Sequence, residues 1–244
     1  MRRIRNCVFE DRQNFCRSSE EPEILPKYLD VKCPEMEDKM LVYLIRHGET
    51  DQNRQRKLQG QSDCPLNEYG RELAEITGNA LADVAFDCAF SSPLIRALET
   101  ARIIIGNRKM PLIEDDRIQE ISFGDYEGLC CGREGYNIPD KHFQYFFDAP
   151  DKYHVPPNGE SFEEVIARTG NFWRELTGKP EYRDKTILIA THGCALKALL
   201  ANIRQTEIKD FWGAGVHKNC AVTIVKVEDG KAEILEEGKI FYSL

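Results

Sequence analysis

The chain has 244 residues, of which 41% are hydrophobic and 30% charged, and its formal net charge is −8. That is an ordinary globular composition, long enough for one large α/β domain or two small ones. The acidic balance argues against general nucleic-acid binding and against a polybasic membrane anchor, and no apolar run approaches the ~20 residues of a membrane span.

Residues 1–40 carry scattered charges and are interrupted by Pro22, Pro26 and Pro34, with no lasting amphipathic period. They are expected to form a poorly ordered or loosely packed extension, with a translation start at Met36 or Met40 as the alternative. From residue 41 to 244, strand and helix patterns alternate, which predicts one α/β domain. Leu41 to Ile45 is a near-continuous apolar run, the pattern of a strand covered on both faces. Asn67 can cap a helix whose inner stripe would be Tyr69, Leu73, Ile76, Ala80 and Val84. Cys88-Ala89-Phe90 reads as a short buried strand, and Ser92-Pro93 opens a helix with Leu94, Ala97, Leu98, Ala101 and Ile105 inward.

Leu112-Ile113 is an edge-strand candidate. Ser161 to Glu164 has the capping-box pattern, and Phe162, Val165, Ile166, Thr169, Phe172, Trp173 and Leu176 make the strongest helical stripe in the chain. Thr186 to Thr191 is the clearest buried strand, followed by a helix with Ala195, Leu199, Leu200 and Ile203 inward. Cys220 to Val227 and Glu233 to Leu235 would pair through a turn at Asp229-Gly230. The nine cysteines are odd in number, include no Cys-x-x-Cys pair and follow no apolar leader. A cytoplasmic protein with free thiols is expected. No Cys or His spacing supports zinc, so neither a metal nor a cofactor is expected.

Two strands end alike, the first in Arg46-His47-Gly48 and the later one in Thr191-His192-Gly193. In a parallel sheet both histidines fall on the carboxyl edge, where open α/β sheets place ligands. Arg46 brings a permanent charge and a planar donor fork suited to phosphate, and His47 an imidazole that is nucleophilic when neutral. Arg96 follows Ser91-Ser92-Pro93 in the first turn of a helix, where N-termini already favour anions. Glu120 opens the segment Ile121-Ser122-Phe123-Gly124-Asp125-Tyr126-Glu127-Gly128, a loop in which it is the acid/base candidate, with Asp125 and Glu127 expected to face solvent.

Arg46-His47-Gly48-Glu49-Thr50 with Asn53, then Gln59-Gly60, Asp63, Pro65-Leu66 and Gly70, resembles the histidine phosphatase superfamily in its phosphoglycerate mutase-like branch. Ser91-Ser92-Pro93, Arg96-Ala97, Thr100-Ala101, Glu120, Phe123-Gly124, Glu127-Gly128, Gly159-Glu160-Ser161 and His192-Gly193 continue that pattern in order. One departure is Tyr126, where relatives often carry tryptophan. The resemblance implies a three-layer α/β fold with a mostly parallel central sheet flanked by helices. It implies that His47 takes the phosphoryl group as phosphohistidine and that Glu120 is the proton donor and acceptor. Arg46, Arg96 and His192 would surround the phosphoryl oxygens, with Asn53, Gln59, Gly60 and Gly193 completing the binding surface.

The resemblance further implies a metal-independent phosphomonoesterase acting on a small phosphorylated metabolite. From residue 41 the chain is short for a mutase of this family, and its Gly159 to Val165 run looks more like the broad-specificity phosphatases. A mutase-type phosphotransferase and a non-catalytic phospho-ligand-binding module are the alternatives. The stretch near 129–158, rich in tyrosine and phenylalanine, is expected to be a specificity insertion over the pocket, with His142 and His154 in structural or surface roles.

Overall fold

The computed structural model describes residues 39–243. The extension expected over residues 1–40 lies outside them except for Lys39 and Met40, which begin the first strand two residues ahead of the anticipated boundary.

Four apolar strands run parallel: β1 (Lys39–Arg46), β2 (Cys88–Ser91), β3 (Leu112–Glu114) and β4 (Thr186–Thr191). A hairpin of β5 (Val222–Glu228) and β6 (Lys231–Lys239) adds antiparallel to β1, giving the order β3-β2-β4-β1-β5-β6. Asp229 and Gly230 both take positive φ, 50° and 72°, as a tight two-residue hairpin turn requires. The sheet is therefore mostly parallel, with β3 at one edge as expected.

Alternation along the strands sends their side chains into two cores. Val42, Leu44, Ile187, Ile189 and Val225 face Phe172, Trp173 and Leu176 of α5 (Phe162–Gly178) and Leu196, Leu199 and Leu200 of α6 (Gly193–Arg204). Ile45, Leu188, Ala190 and Val222 face Ala101, Ile104 and Ile105 of α3 (Ile95–Ile105). Helix α2 (Glu68–Ala80) packs beside α3. Helices on both faces complete the expected three layers.

The stripe predicted for α2 is displaced by about one residue. Its buried face is Gly70, Leu73, Ala74 and Thr77, while Tyr69 is 43% exposed and Val84 lies beyond the helix end. The cause is a backbone contact: a Cβ on Gly70 would come 2.1 Å from the Glu49 carbonyl oxygen, and one on Gly48 would come 2.5 Å from that of Gly70. The helix is thus drawn against the end of β1 through two glycines rather than through its largest apolar side chains. The Asn67 cap holds, with its side chain accepting the Gly70 N–H at 2.7 Å. So does the capping box of α5, formed by Ser161 and Glu164.

The six cysteines among the described residues are free thiols. No helix among those residues is long and apolar enough to cross a membrane.

Candidate active site

Strand registry brings the motifs together. Arg46 pairs with Thr191 and Ser91 with Ala190, so β1, β4 and β2 end at one level, and His47, His192 and Ser92 emerge side by side. The crossover is held by the His47 N–H on the Thr191 carbonyl at 2.9 Å and the Ser92 N–H on the Ala190 carbonyl at 3.0 Å. The His47 and His192 rings lie 5.1 Å apart.

Hydrogen bonding sets the tautomers of both rings. His47 Nδ1 lies 2.7 Å from the Gly48 carbonyl, which can only accept, so Nδ1 carries the proton and Nε2 keeps its lone pair. Arg96 Nε donates to His192 Nδ1 at 3.1 Å, so the His192 proton sits on Nε2 and is directed at Ser92 Oγ, 2.7 Å away. Burial, followed by the Arg96 charge, pushes both imidazoles well below the usual histidine range. His47 is therefore neutral at neutral pH, with one unblocked nitrogen.

The two arginines are buried with it. Arg96 is fully buried at the start of α3 and also donates to the carbonyls of Ser62 (2.8 Å) and Gly60 (2.6 Å). One turn on, Thr100 Oγ1 accepts the Gly48 N–H at 2.9 Å, so the same face of α3 grips the His47 loop. Helix α3 begins at Ile95, and Ser92 acts as the partner of His192 more than as a cap, its contact to the Leu94 N–H being 3.3 Å. Arg46 donates through Nη1 to the His217 carbonyl, while its buried Nε has no partner among the described residues. Burial pulls both guanidiniums below their usual range, with Glu120 the main opposing charge.

Glu120 approaches from the other side of the strand ends. Its Oε1 accepts from the N–H groups of Cys194 and Ala195, each at 3.0 Å, at the start of α6. A Cβ on Gly193 would lie 3.5 Å from Glu120 Oε2 and 3.7 Å from Arg46 Nε, so this glycine leaves open the gap between them. The loop is clamped by Arg168 of α5, which donates to the carbonyls of Arg117, Gln119 and Glu120 and pairs with Glu160 at 2.6 Å. Glu127 does not face solvent as anticipated. It turns inward and accepts the N–H groups of Gln61 (2.9 Å), Ser62 (2.7 Å) and Phe123 (3.2 Å), while Asp125 is exposed as expected.

These groups meet in a cavity of about 890 Å³. Arg46, His47, Asn53, Gln59, Gly60, Arg96, Glu120 and Gly193 all line it. Asn53 lies in the short helix α1 (Asp51–Arg54) as the partner of Thr50 in a capping box, and its Oδ1 is held by the Thr50 N–H at 3.1 Å, which leaves its NH2 group to donate. Gln59 is fixed through Oε1 by Thr50 Oγ1 at 2.8 Å. His192 is not among the lining residues; it stands fully buried behind His47 and Arg96 with both nitrogens bonded.

The outer wall comes in part from the anticipated specificity segment, through Cys131, Arg133, Tyr136, Lys141, Phe146 and Phe147. Tyr126 is not part of it and packs on Phe143 instead. Arg168, Trp212, Val216 and Asn219 belong to no motif of the sequence, and Glu127, which does, differs from expectation in turning inward. Trp212 and Val216 complete the wall, and Asn219 Nδ2 donates to the His47 carbonyl at 2.9 Å.

The profile of the Histidine phosphatase superfamily (branch 1) matches residues 42–239. An uncharacterized phosphatase, PhoE, of Bacillus subtilis strain 168 is 36% identical over 162 residues, covering 66% of this chain and 76% of its own length. A 2,3-bisphosphoglycerate-dependent phosphoglycerate mutase of Cytophaga hutchinsonii is 31% identical over 174 residues, covering 70% of this chain and 80% of its own. Among solved structures, Bacillus stearothermophilus YhfR superposes with a TM-score of 0.76 at 36% identity, covering 82% of this chain and 97% of that one.

Proposed function

The chain belongs to the histidine phosphatase superfamily (branch 1), and from that premise we propose that it is a metal-independent phosphomonoesterase working through phosphohistidine. The observation that carries this reading is the His47 ring. It is neutral, anchored through Nδ1 and open at Nε2, on the floor of a cavity between two buried arginines.

In the first half-reaction His47 Nε2 attacks phosphorus, forming the N–P bond as the P–O ester bond breaks. Glu120, protonated, gives its proton to the departing alkoxide. Arg46 and Arg96 hold the equatorial oxygens, which need positioning and charge compensation more than covalent help. In the second, Glu120 as carboxylate takes a proton from water, whose oxygen attacks phosphorus. The N–P bond breaks, releasing phosphate and restoring neutral His47. His192 orients Arg96 and keeps the floor of the site ordered, and Asn53 donates from its NH2 group.

The cationic outer wall also suits transfer of the phosphoryl group to a monophosphate acceptor, because Arg56, Lys57, Arg133 and Lys141 line it opposite no carboxylate but Glu120. Hydrolysis is favoured by the run from Gly159 to Val165, which resembles that of the broad-specificity phosphatases. The deciding experiment is phosphate release from a panel of phosphomonoesters with chelator present, comparing wild type with His47→Ala. Release that persists under chelation and is lost in the variant supports the proposal. Loss on chelation, or survival in His47→Ala, overturns it, and faster transfer to an added monophosphate than to water assigns the mutase reaction.

A further inference from the structure

Asp140, His142 and His154 gather on the segment that walls the cavity, and no step of the proposed reaction uses them. His142 Nδ1 lies 3.7 Å from Asp140 Oδ1, and His154 Nδ1 lies 3.4 Å from Asp140 Oδ2. One donor atom from each of the three can be chosen so that all lie within 4.8 Å of one another. Zinc–nitrogen and zinc–oxygen bonds of ~2.0–2.1 Å in a tetrahedron set donor atoms about 3.3–3.4 Å apart. The two short distances run to different Asp140 oxygens, so these exposed side chains would close from within 4.8 Å onto one face of that tetrahedron, leaving the fourth position open to water.

We propose that Asp140, His142 and His154 form a binding site for a divalent transition metal of the zinc class, which staples the outer wall of the active-site cavity. Two imidazoles and one carboxylate are the donor set that such ions prefer, and magnesium or calcium would ask for more oxygen.

The surroundings already orient the donors. Asp140 Oδ1 accepts the His142 backbone N–H at 2.8 Å, and the Asp140 carbonyl accepts the Tyr136 hydroxyl at 2.9 Å. The Tyr145 ring stacks on His142 at 5.4 Å and meets His154 edge-on at 6.4 Å, holding both imidazoles toward the carboxylate. Such supporting contacts are what fix ligand geometry in metal sites. An ion pair alone explains the arrangement poorly: exposed pairs contribute little, and one imidazole would suffice for the carboxylate.

The consequence lies in what the metal would join. Between His142 and His154 the chain supplies Gln144, Phe146 and Phe147 to the cavity, with Lys141 just before them. A metal closing residues 140–154 into a loop removes freedom from that wall without entering the chemistry at His47. The inference stands independently of the proposed hydrolysis.

The test is titration of the full chain with cobalt(II) and zinc(II), set beside His142→Ala and His154→Ala. Free cysteines could also take these ions, and cobalt distinguishes the cases because thiolate ligation adds an intense charge-transfer band. The expected result is one equivalent bound by nitrogen and oxygen donors, weakened by ~10–100-fold or more in each variant. Zinc should also slow proteolytic cleavage within 140–154 in wild type and leave His154→Ala unprotected. Affinity unchanged in the variants, thiolate-bound cobalt as the only complex, or unaltered cleavage would each overturn the proposal. Asp140→Asn provides a third variant, and the histidines, with side chains 58% and 62% exposed, can be replaced without opening the core.

Discussion

Arg96 Nε donates to His192 Nδ1 at 3.1 Å, and the same guanidinium reaches the Ser62 and Gly60 carbonyls with its other two nitrogens. A single buried side chain thus sets a histidine tautomer, pins the 60–62 loop and retains further N–H groups for an anion. Lysine offers a point charge without the fork. Arg96→Lys is therefore expected to lower kcat/KM on the order of 10²–10³-fold, the loss typical of a preorganised donor. Steady-state kinetics on one good substrate checks this; a loss within threefold would remove Arg96 from the phosphoryl site.

The pH behaviour follows from burial. The His47 imidazole is held well below the usual 6.5 by desolvation first and by Arg96 and Arg46 next, so it stays neutral and nucleophilic as pH falls through that value. The acid limb of kcat/KM assigned to His47 is expected well below pH 6.5. A limb centred near 6.5 that disappears in no other variant would contradict its assignment as a buried nucleophile.

Stability should move differently. His217 is pushed down to about 4, mainly by burial and by the Lys197 charge, while an unfolded histidine titrates near 6.5. Between those values the unfolded chain binds the extra proton, so stability is full above pH 6.5 and declines as pH falls toward 4, by roughly 3 kcal/mol for this residue. His47 and His192 act in the same direction. Denaturant midpoints at about pH 7.5 and about pH 5 test it, and a midpoint unchanged by acidification would refute the linkage.

What the sequence disclosed and what it hid have a common physical origin. His47, His192 and Arg96 were legible because each sits beside a strongly patterned strand or helix, and parallel strands end on one edge. The capping box of α5 and the Asp229-Gly230 turn were legible because their chemistry is local. Arg168 and the inward turn of Glu127 were not, since their partners are carbonyls and N–H groups up to 66 positions away and such bonds leave no period. The α2 stripe was misplaced because apolarity pointed to Tyr69 and Ile76, while the actual contact was made by two glycines. Asp140-x-His142 with a distant His154 matched no metal spacing, because the fold closes it through Tyr145.

The Arg168 clamp has its own signature. Arg168→Ala frees the loop carbonyls of residues 117, 119 and 120 and leaves Glu160 unpaired, with their side chains only 19% and 14% exposed in the native pair. Glu120 would lose its position while the nucleophile and arginines remain. The expected outcome is a fall in kcat of ~10–100-fold, larger for alkyl than for nitrophenyl phosphates because only the former need a well-placed proton. Equal losses on both substrates would assign Arg168 a purely structural role.

The outer cavity should select a second negative charge. Arg56, Lys57, Arg133 and Lys141 line it, and none has an ion-pair partner among the described residues, although the whole chain carries −8. Such unpaired cations concentrate anionic substrate without taking part in bond breaking. Because they are exposed, each is worth about 1 kcal/mol toward an anion, or roughly fivefold. Arg133→Ala and Lys141→Ala are each expected to raise KM about fivefold for a monophosphate bearing a carboxylate or second phosphate, with kcat unchanged. KM for an otherwise neutral phosphomonoester should stay nearly constant, and the difference should shrink as salt screens it. If neutral and doubly anionic substrates lose equally, the cations serve the fold of the wall and the substrate's second group lies elsewhere.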